Sequence, residues 1–170
     1  MFVMEIVIGI LSDSTALLAD SLDMFADSTV YAISLYAVGK SMVIKNRAAR
    51  LSGLFQIVLG LSVLLDIIRR LIWGSNPESF SMVAVGVAAL FANTLCLYLI
   101  ASHRKGEIHM RASWIFSKND VIANLGVILG GILVYLLGSR IPDLLIGSLI
   151  SLLVIRGGIE IVKDSREVAS

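Results

Sequence analysis

Three aspartates set inside an apolar run constrain this chain more than any other feature. In the stretch Ala16-Leu17-Leu18-Ala19-Asp20-Ser21-Leu22-Asp23-Met24-Phe25-Ala26-Asp27 the acids are spaced i, i+3, i+7, so a helix stacks them along one face. Asp13 and Ala16 precede them on that face, and Tyr31 and Ser34 follow. The opposite face is Leu, Met, Phe, Val and Ile. The apolar positions continue to Ile44 with little interruption. At ~1.5 Å per residue that run is longer than a bilayer core of ~30 Å. A carboxylate at such depth costs about 2.5 kcal/mol or more on insertion scales, so it needs a cation, a proton or a water-filled cavity. Asp23 and Asp27, one turn apart, have Cβ atoms roughly 5–6 Å from each other. Two negative charges so close repel unless something positive sits between them, and a divalent cation is the economical answer.

Composition places the run in a membrane. The chain is 57% hydrophobic and 16% charged, whereas soluble domains carry about a quarter charged residues. An aromatic content of 7% argues for helices over a barrel, the other architecture that satisfies a backbone in lipid. Cys96 is the single cysteine, which excludes a disulfide framework and a Cys-rich metal site. A net charge of +1 gives no sign of nucleic-acid binding. The N-terminus has no basic region of the kind a signal peptide carries.

Taken in order, the chain reads as an all-α membrane protein of six transmembrane helices. Met1 to Leu11 is apolar apart from Glu5 but shorter than the ~20 residues a span needs; the expectation is that residues preceding Met1 are missing and this helix is truncated. Ser12-Asp13-Ser14-Thr15 is a turn with helix-capping chemistry. The acidic helix follows and ends near Lys40 to Lys45. Further spans are expected from about Leu51 to Trp73, Phe80 to Ala101, Arg111 to Leu137 and Asp143 to Val162. The loops between them hold Gly74-Ser75-Asn76-Pro77, Ser102 to His109 and Gly138-Ser139-Arg140-Ile141-Pro142. The tail from Lys163 to Ser170 is too short for a domain, so residues 1–170 read as one transmembrane domain with no C-terminal cytosolic domain.

Loop charge orients it. Lys40, Lys45, Arg47, Arg50, Arg104, Lys105, Arg111, Arg156, Lys163 and Arg166 collect on one side, against Arg69, Arg70 and Arg140 on the other. By the positive-inside rule both termini are cytoplasmic. Arg69 and Arg70 run against that bias, though Asp66 pairs with either at helical spacing. Asp27 then lies about 15 Å below the outer end of the second helix, and Asp120 about 14 Å above the inner end of the fifth. The two depths agree, so Asp23, Asp27 and Asp120 converge on one ion if these helices are neighbours. Asn124, one turn beyond Asp120, offers a carbonyl oxygen, whereas Phe116 occupies the turn before it and cannot ligate. The alternative for Asn124, and the reading preferred for Asn93, is a simple interhelical hydrogen-bond former. His103 and His109 are either solvated loop residues or a capture point at the cytoplasmic mouth. Gly126-x-x-x-Gly130 and Gly147-x-x-x-Ser151 are small-residue packing motifs.

These residues carry a resemblance. Ser14-Thr15-Ala16-Leu17-Leu18-Ala19-Asp20-Ser21 with Asp23 and Asp27 resembles the second-helix signature of the cation diffusion facilitator family, and Asp120 with Asn124 resembles its fifth-helix signature. The resemblance implies a homodimer in the membrane exchanging a divalent metal ion for protons, with two ligands from each of those helices. Asp23, Asp27 and Asp120 match three of the four ligand positions; the fourth, four residues before Asp120, is Phe116. It also implies residence in a bacterial inner membrane and a Zn-like ion, with Co and Cd as further substrates. Oxygen-only ligation suits harder ions such as Mn or Fe. Asp23, Asp27 and Asp120 bind metal as carboxylates and take protons when it leaves, so the two compete for one site. No nucleophile or general base accompanies the carboxylates, so an enzyme is not expected. The alternative is a non-transporting, metal-binding or dimerising membrane protein with a partial site.

Overall fold

In the computed structural model, which describes residues 1–37, 41–101 and 108–167, the chain forms six helices: α1 (Phe2–Leu11), α2 (Thr15–Ala37), α3 (Met42–Trp73), α4 (Ser79–Ala101), α5 (Ile108–Leu137) and α6 (Ile141–Glu167). No strand occurs among the described residues. Four segments, Val43–Trp73, Ser79–Leu99, Lys118–Leu137 and Ile141–Ser165, are long and apolar enough to cross a membrane. The protein is therefore an integral membrane protein. Six helices are present, but the composition of α2 and the shortness of α1 set those two apart. The 23 residues of α2 span about 35 Å, and its aspartates are what interrupt its hydropathy. The ten residues of α1 reach about 15 Å.

Several ends differ from the sequence reading for simple reasons. Helix α3 begins at Met42 rather than Leu51 because no breaker lies in the basic segment before it. Helix α6 begins at Ile141 because Pro142, in the first helical turn, has no N–H to lose there.

Helix α2 is the hub, touching each of the other five, while α3 packs chiefly on α6 and α4 on α5. Glycine allows the closest of these approaches. A Cβ at Gly53 would stand 2.6 Å from the Gly158 carbonyl oxygen, and one at Gly147 would stand 2.8 Å from Thr15 Cγ2. Gly130 faces Ile146 within the same chain, so the first small-residue motif packs α5 on α6. Ala16, Leu17, Ala19, Ile67, Met82, Val127 and Ile150 belong to the apolar core. Phe80, Phe91, Tyr98 and Tyr135 lie on the outer surface, each more than 70% exposed.

One end of the bundle is tied by charge. Asp13 adopts φ 52°, a left-handed conformation that Asp tolerates better than most residues. Its carboxylate accepts from the Arg70 guanidinium and, at 2.7 Å, from the Asn76 N–H. Arg70, only 3% exposed, also donates to the Asp13 carbonyl at 2.6 Å and to Asp66. Asp66 takes Arg69 as well, at 2.7 Å, so it pairs with both arginines. Asp143, fully buried on α6, accepts three hydrogen bonds from the start of α2: Ser14 Oγ at 2.7 Å, Thr15 N at 2.8 Å and Ala16 N at 2.9 Å. Ser14 Oγ in turn accepts from Leu17 N at 3.2 Å. The first N–H groups of a helix lack intrahelical partners, and here a carboxylate from another helix satisfies two of them.

Candidate metal site

The tied end fixes the start of α2, and the helical repeat then sets the height of each acid below it. Asp20 is fully buried, while Asp23 and Asp27 are half-buried. Asp23 and Asp27 face a cavity of about 1060 Å³ enclosed by α2, α3, α5 and α6. Gln56 of α3 and Asn119 of α5 line its flanks, and Gln56 Oε1 is buried with no partner among the described residues. Apolar α6 side chains, Ile146, Leu149, Ile150, Leu152 and Leu153, form another wall. Toward the end away from Asp143 the lining turns polar, with Arg156, Glu160 and Asp164. Arg156 donates to Glu160 at 3.0 Å across one turn.

Asp120 stands beside this cavity but does not line it. Its side chain is 8% exposed, and Oδ1 has no hydrogen-bond partner among the described residues. Its charge acts on Asp23 and, together with that of Asp23, on Asp27. The three carboxylates thus share one electrostatic neighbourhood. They do not form a closed ligand cage: among the described residues, no group of three His, Cys, Asp or Glu is close enough to hold one ion. The expected convergence is incomplete because α5 meets α2 far less extensively than α3 and α6 do, and the cavity lies between.

Asn124 is placed differently from the reading that offered its carbonyl to an ion. It is fully buried; Oδ1 accepts from Asn93 Nδ2 at 2.9 Å, and Nδ2 donates to Asp20 Oδ2 at 2.6 Å. The carbonyl oxygen is therefore engaged by α4. Asn124 and Asn93 act here as the interhelical hydrogen-bond formers that the sequence also allowed. The side chains of Phe116 and His109, and all of His103, lie outside the described residues. Sequence reasoning missed the roles of Asp143 and Gln56, and gave Glu5 no role. Glu5 left a signal, an acid in an apolar run, but its partner helix was not legible.

The geometry suits a hydrated cation. A roomy cavity carries two carboxylates one turn apart, a third beside it, and uncharged oxygen donors on its wall. Hard and borderline divalent ions take such oxygen ligands. Comparison with known proteins agrees. The family described as "Cation efflux transmembrane domain" matches residues 1–168. The zinc transporter ZitB of Escherichia coli is 28% identical over 176 residues, covering 95% of this chain and 56% of ZitB. The cadmium, cobalt and zinc/H(+)-K(+) antiporter of Bacillus subtilis is 26% identical over 180 residues, covering 96% and 57% of the two chains. The metal cation efflux system protein CzcD of Cupriavidus metallidurans is 26% identical over 176 residues, covering 96% and 56%. The chain spans about half the length of these curated relatives. Five helices around an acidic α2, the acid-lined cavity and a family match over residues 1–168 lead to one conclusion: the chain belongs to the cation efflux, or cation diffusion facilitator, family of transporters.

Proposed function

We propose that the protein exports a divalent transition-metal ion from the cytoplasm in exchange for protons. The ion is Zn-like: Zn first, with Co and Cd next and Mn or Fe compatible with oxygen ligation. The observation that carries this reading is the acid-lined cavity, which holds Asp23 and Asp27 and follows α6 as far as Asp164, while Asp143 caps the start of α2. By the loop-charge rule the Asp164 end is cytoplasmic, so the cavity is a cytoplasmic entry path. Asp23 and Asp27 receive the ion from it. Asp120 joins them as α5 closes on α2, and water or Gln56 completes the shell. On the outer side, protons displace the ion from the same carboxylates, and the protonated site returns without metal. Names of relatives that include zinc, cadmium and cobalt support this choice of ions. The apolar outer surface suits the lipid of a cell membrane, in which this reading takes the protein to act as a homodimer.

The incomplete ligand cage favours a second reading, in which the site binds metal without cycling. Reconstitution separates the two. With Zn outside and a pH dye inside proteoliposomes, Zn entry accompanied by proton exit supports transport. Zn binding without either flux supports the second reading.

A further inference from the structure

A second cavity, of about 470 Å³, lies where the α3–α4 and α5–α6 turns meet. Ser75, Asn76 and Ser79 wall it on one side, and Ser139 and Arg140 on the other. It shares no residue with the acid-lined cavity, and no Asp or Glu lines it. A divalent cation therefore has nothing to bind there.

The charge of this cavity is positive and uncompensated. Among the described residues no carboxylate pairs with Arg140, which makes only a long hydrogen bond, at 3.4 Å, to the Leu71 carbonyl. The acids of the neighbouring turns are engaged elsewhere: Asp13 by Arg70 and Asn76 N–H, Asp143 by the start of α2, and Glu78 by Ser81 Oγ. Gly74, at φ 93°, makes room for the guanidinium; a Cβ there would stand 2.8 Å from Arg140 Nη1. Ser75 Oγ is shielded from solvent and has no hydrogen-bond partner among the described residues, so its bond is left for something the cavity holds. Ser139 Oγ accepts from Ile141 N at 3.3 Å and keeps its own proton to donate. Helices α4 and α6 begin at the cavity, and their positive ends add to the same preference for an anion.

The level of the cavity in the membrane says which anion. All four long apolar segments terminate around it: two end at Trp73 and Leu137, and two begin at Ser79 and Ile141. It thus lies at the boundary between lipid tails and water, where phospholipid phosphates sit. Trp73, Phe80 and Tyr135, each more than 70% exposed, stand near that boundary, as aromatic residues do at the headgroup level.

From these observations we infer that the cavity binds the phosphate group of an anionic phospholipid. Arg140 donates the paired, charge-assisted hydrogen bonds that suit a phosphate, and the serine hydroxyls reach its remaining oxygens. The acyl chains follow the exposed apolar sides of α4 and α5. An ethanolamine headgroup needs a carboxylate for its ammonium, and the lining offers none; a glycerol headgroup needs only hydroxyl and amide partners. The lipid site and the metal site are independent, so either can fail alone.

The test compares lipids. Purified full-length chain in detergent is mixed with equal phosphatidylglycerol and phosphatidylethanolamine, and retained lipid is read by native mass spectrometry. Wild type should retain phosphatidylglycerol in preference. Arg140→Gln should retain it about tenfold less, the scale of losing a charged hydrogen-bond donor. Equal retention of the two lipids by wild type, or equal phosphatidylglycerol retention by wild type and Arg140→Gln, would overturn the inference. Excess inorganic phosphate, which lacks acyl chains, should leave the lipid in place. Displacement by it would show that the cavity takes the free anion and would overturn the lipid assignment. If Arg140→Gln fails to fold, hydrogen exchange on wild type decides. Backbone amides of residues 74–79 and 138–141 should exchange more slowly in phosphatidylglycerol nanodiscs than in phosphatidylcholine ones, and equal rates would contradict the inference.

Discussion

Asp27 and Asn124 show how differently two polar side chains sit in an apolar bundle. Asp27 faces the cavity one turn from Asp23, where water or an ion can solvate it, so its value lies in what it binds. Asp27→Ala should therefore leave insertion and thermal stability nearly unchanged while Zn flux drops to that of empty liposomes. Normal flux at equal expression would remove Asp27 from the site. Asn124, in contrast, joins α4 to α2 through Asn93 and Asp20. Asn124→Ala leaves both partners buried without it, at roughly 1–3 kcal/mol for an unsatisfied buried group. A lowered melting temperature is expected, and an unchanged one would show that water replaces the amide. The acids were legible in the sequence because charge in an apolar run is conspicuous. Asn124 was not, because an amide can serve an ion or a neighbouring helix, and spacing does not say which.

Among the elements, α2 depends most on others. Its first N–H groups are held by Asp143 of α6, its flank by Gly147, and its turn by Arg70 of α3. Asp143→Ala removes an acceptor of three hydrogen bonds. With bonds to charged groups contributing about 1.5–3 kcal/mol each before relaxation, a net loss of roughly 3 kcal/mol is expected. Thermal unfolding in detergent checks this, and a change below about 0.5 kcal/mol, the scale of an ordinary surface substitution, would show that the clamp is incidental. The helices were readable because long apolar runs divided by Gly, Pro and Asn punctuation leave few alternatives. The turn at Ser12 to Ser14 was readable as a cap, but its cap from α6 was not. A cap that arrives from 129 residues away has no local sequence signature.

The whole molecule is a bundle tied by ion pairs at one end, with an acid-lined cavity between α2, α3, α5 and α6. The sequence led to the expectation that Asp27 and Asp120 reach similar depth, because helical rise converts residue number into height. It did not show the lateral packing that leaves a cavity between α2 and α5, since periodicity gives a helix a face without naming what the face meets. At this scale the central claim is that metal and protons compete for the same buried carboxylates. Carboxylates that bind the ion must first lose their protons, so affinity is highest at high pH and is lost as pH falls. The most direct measurement is Zn affinity of the purified protein titrated from about pH 5.5 to 8. Exchange of two protons per ion predicts a slope of about two log units of affinity per pH unit below the pH of full ionisation. A flat curve across that range would contradict proton-coupled export through Asp23, Asp27 and Asp120.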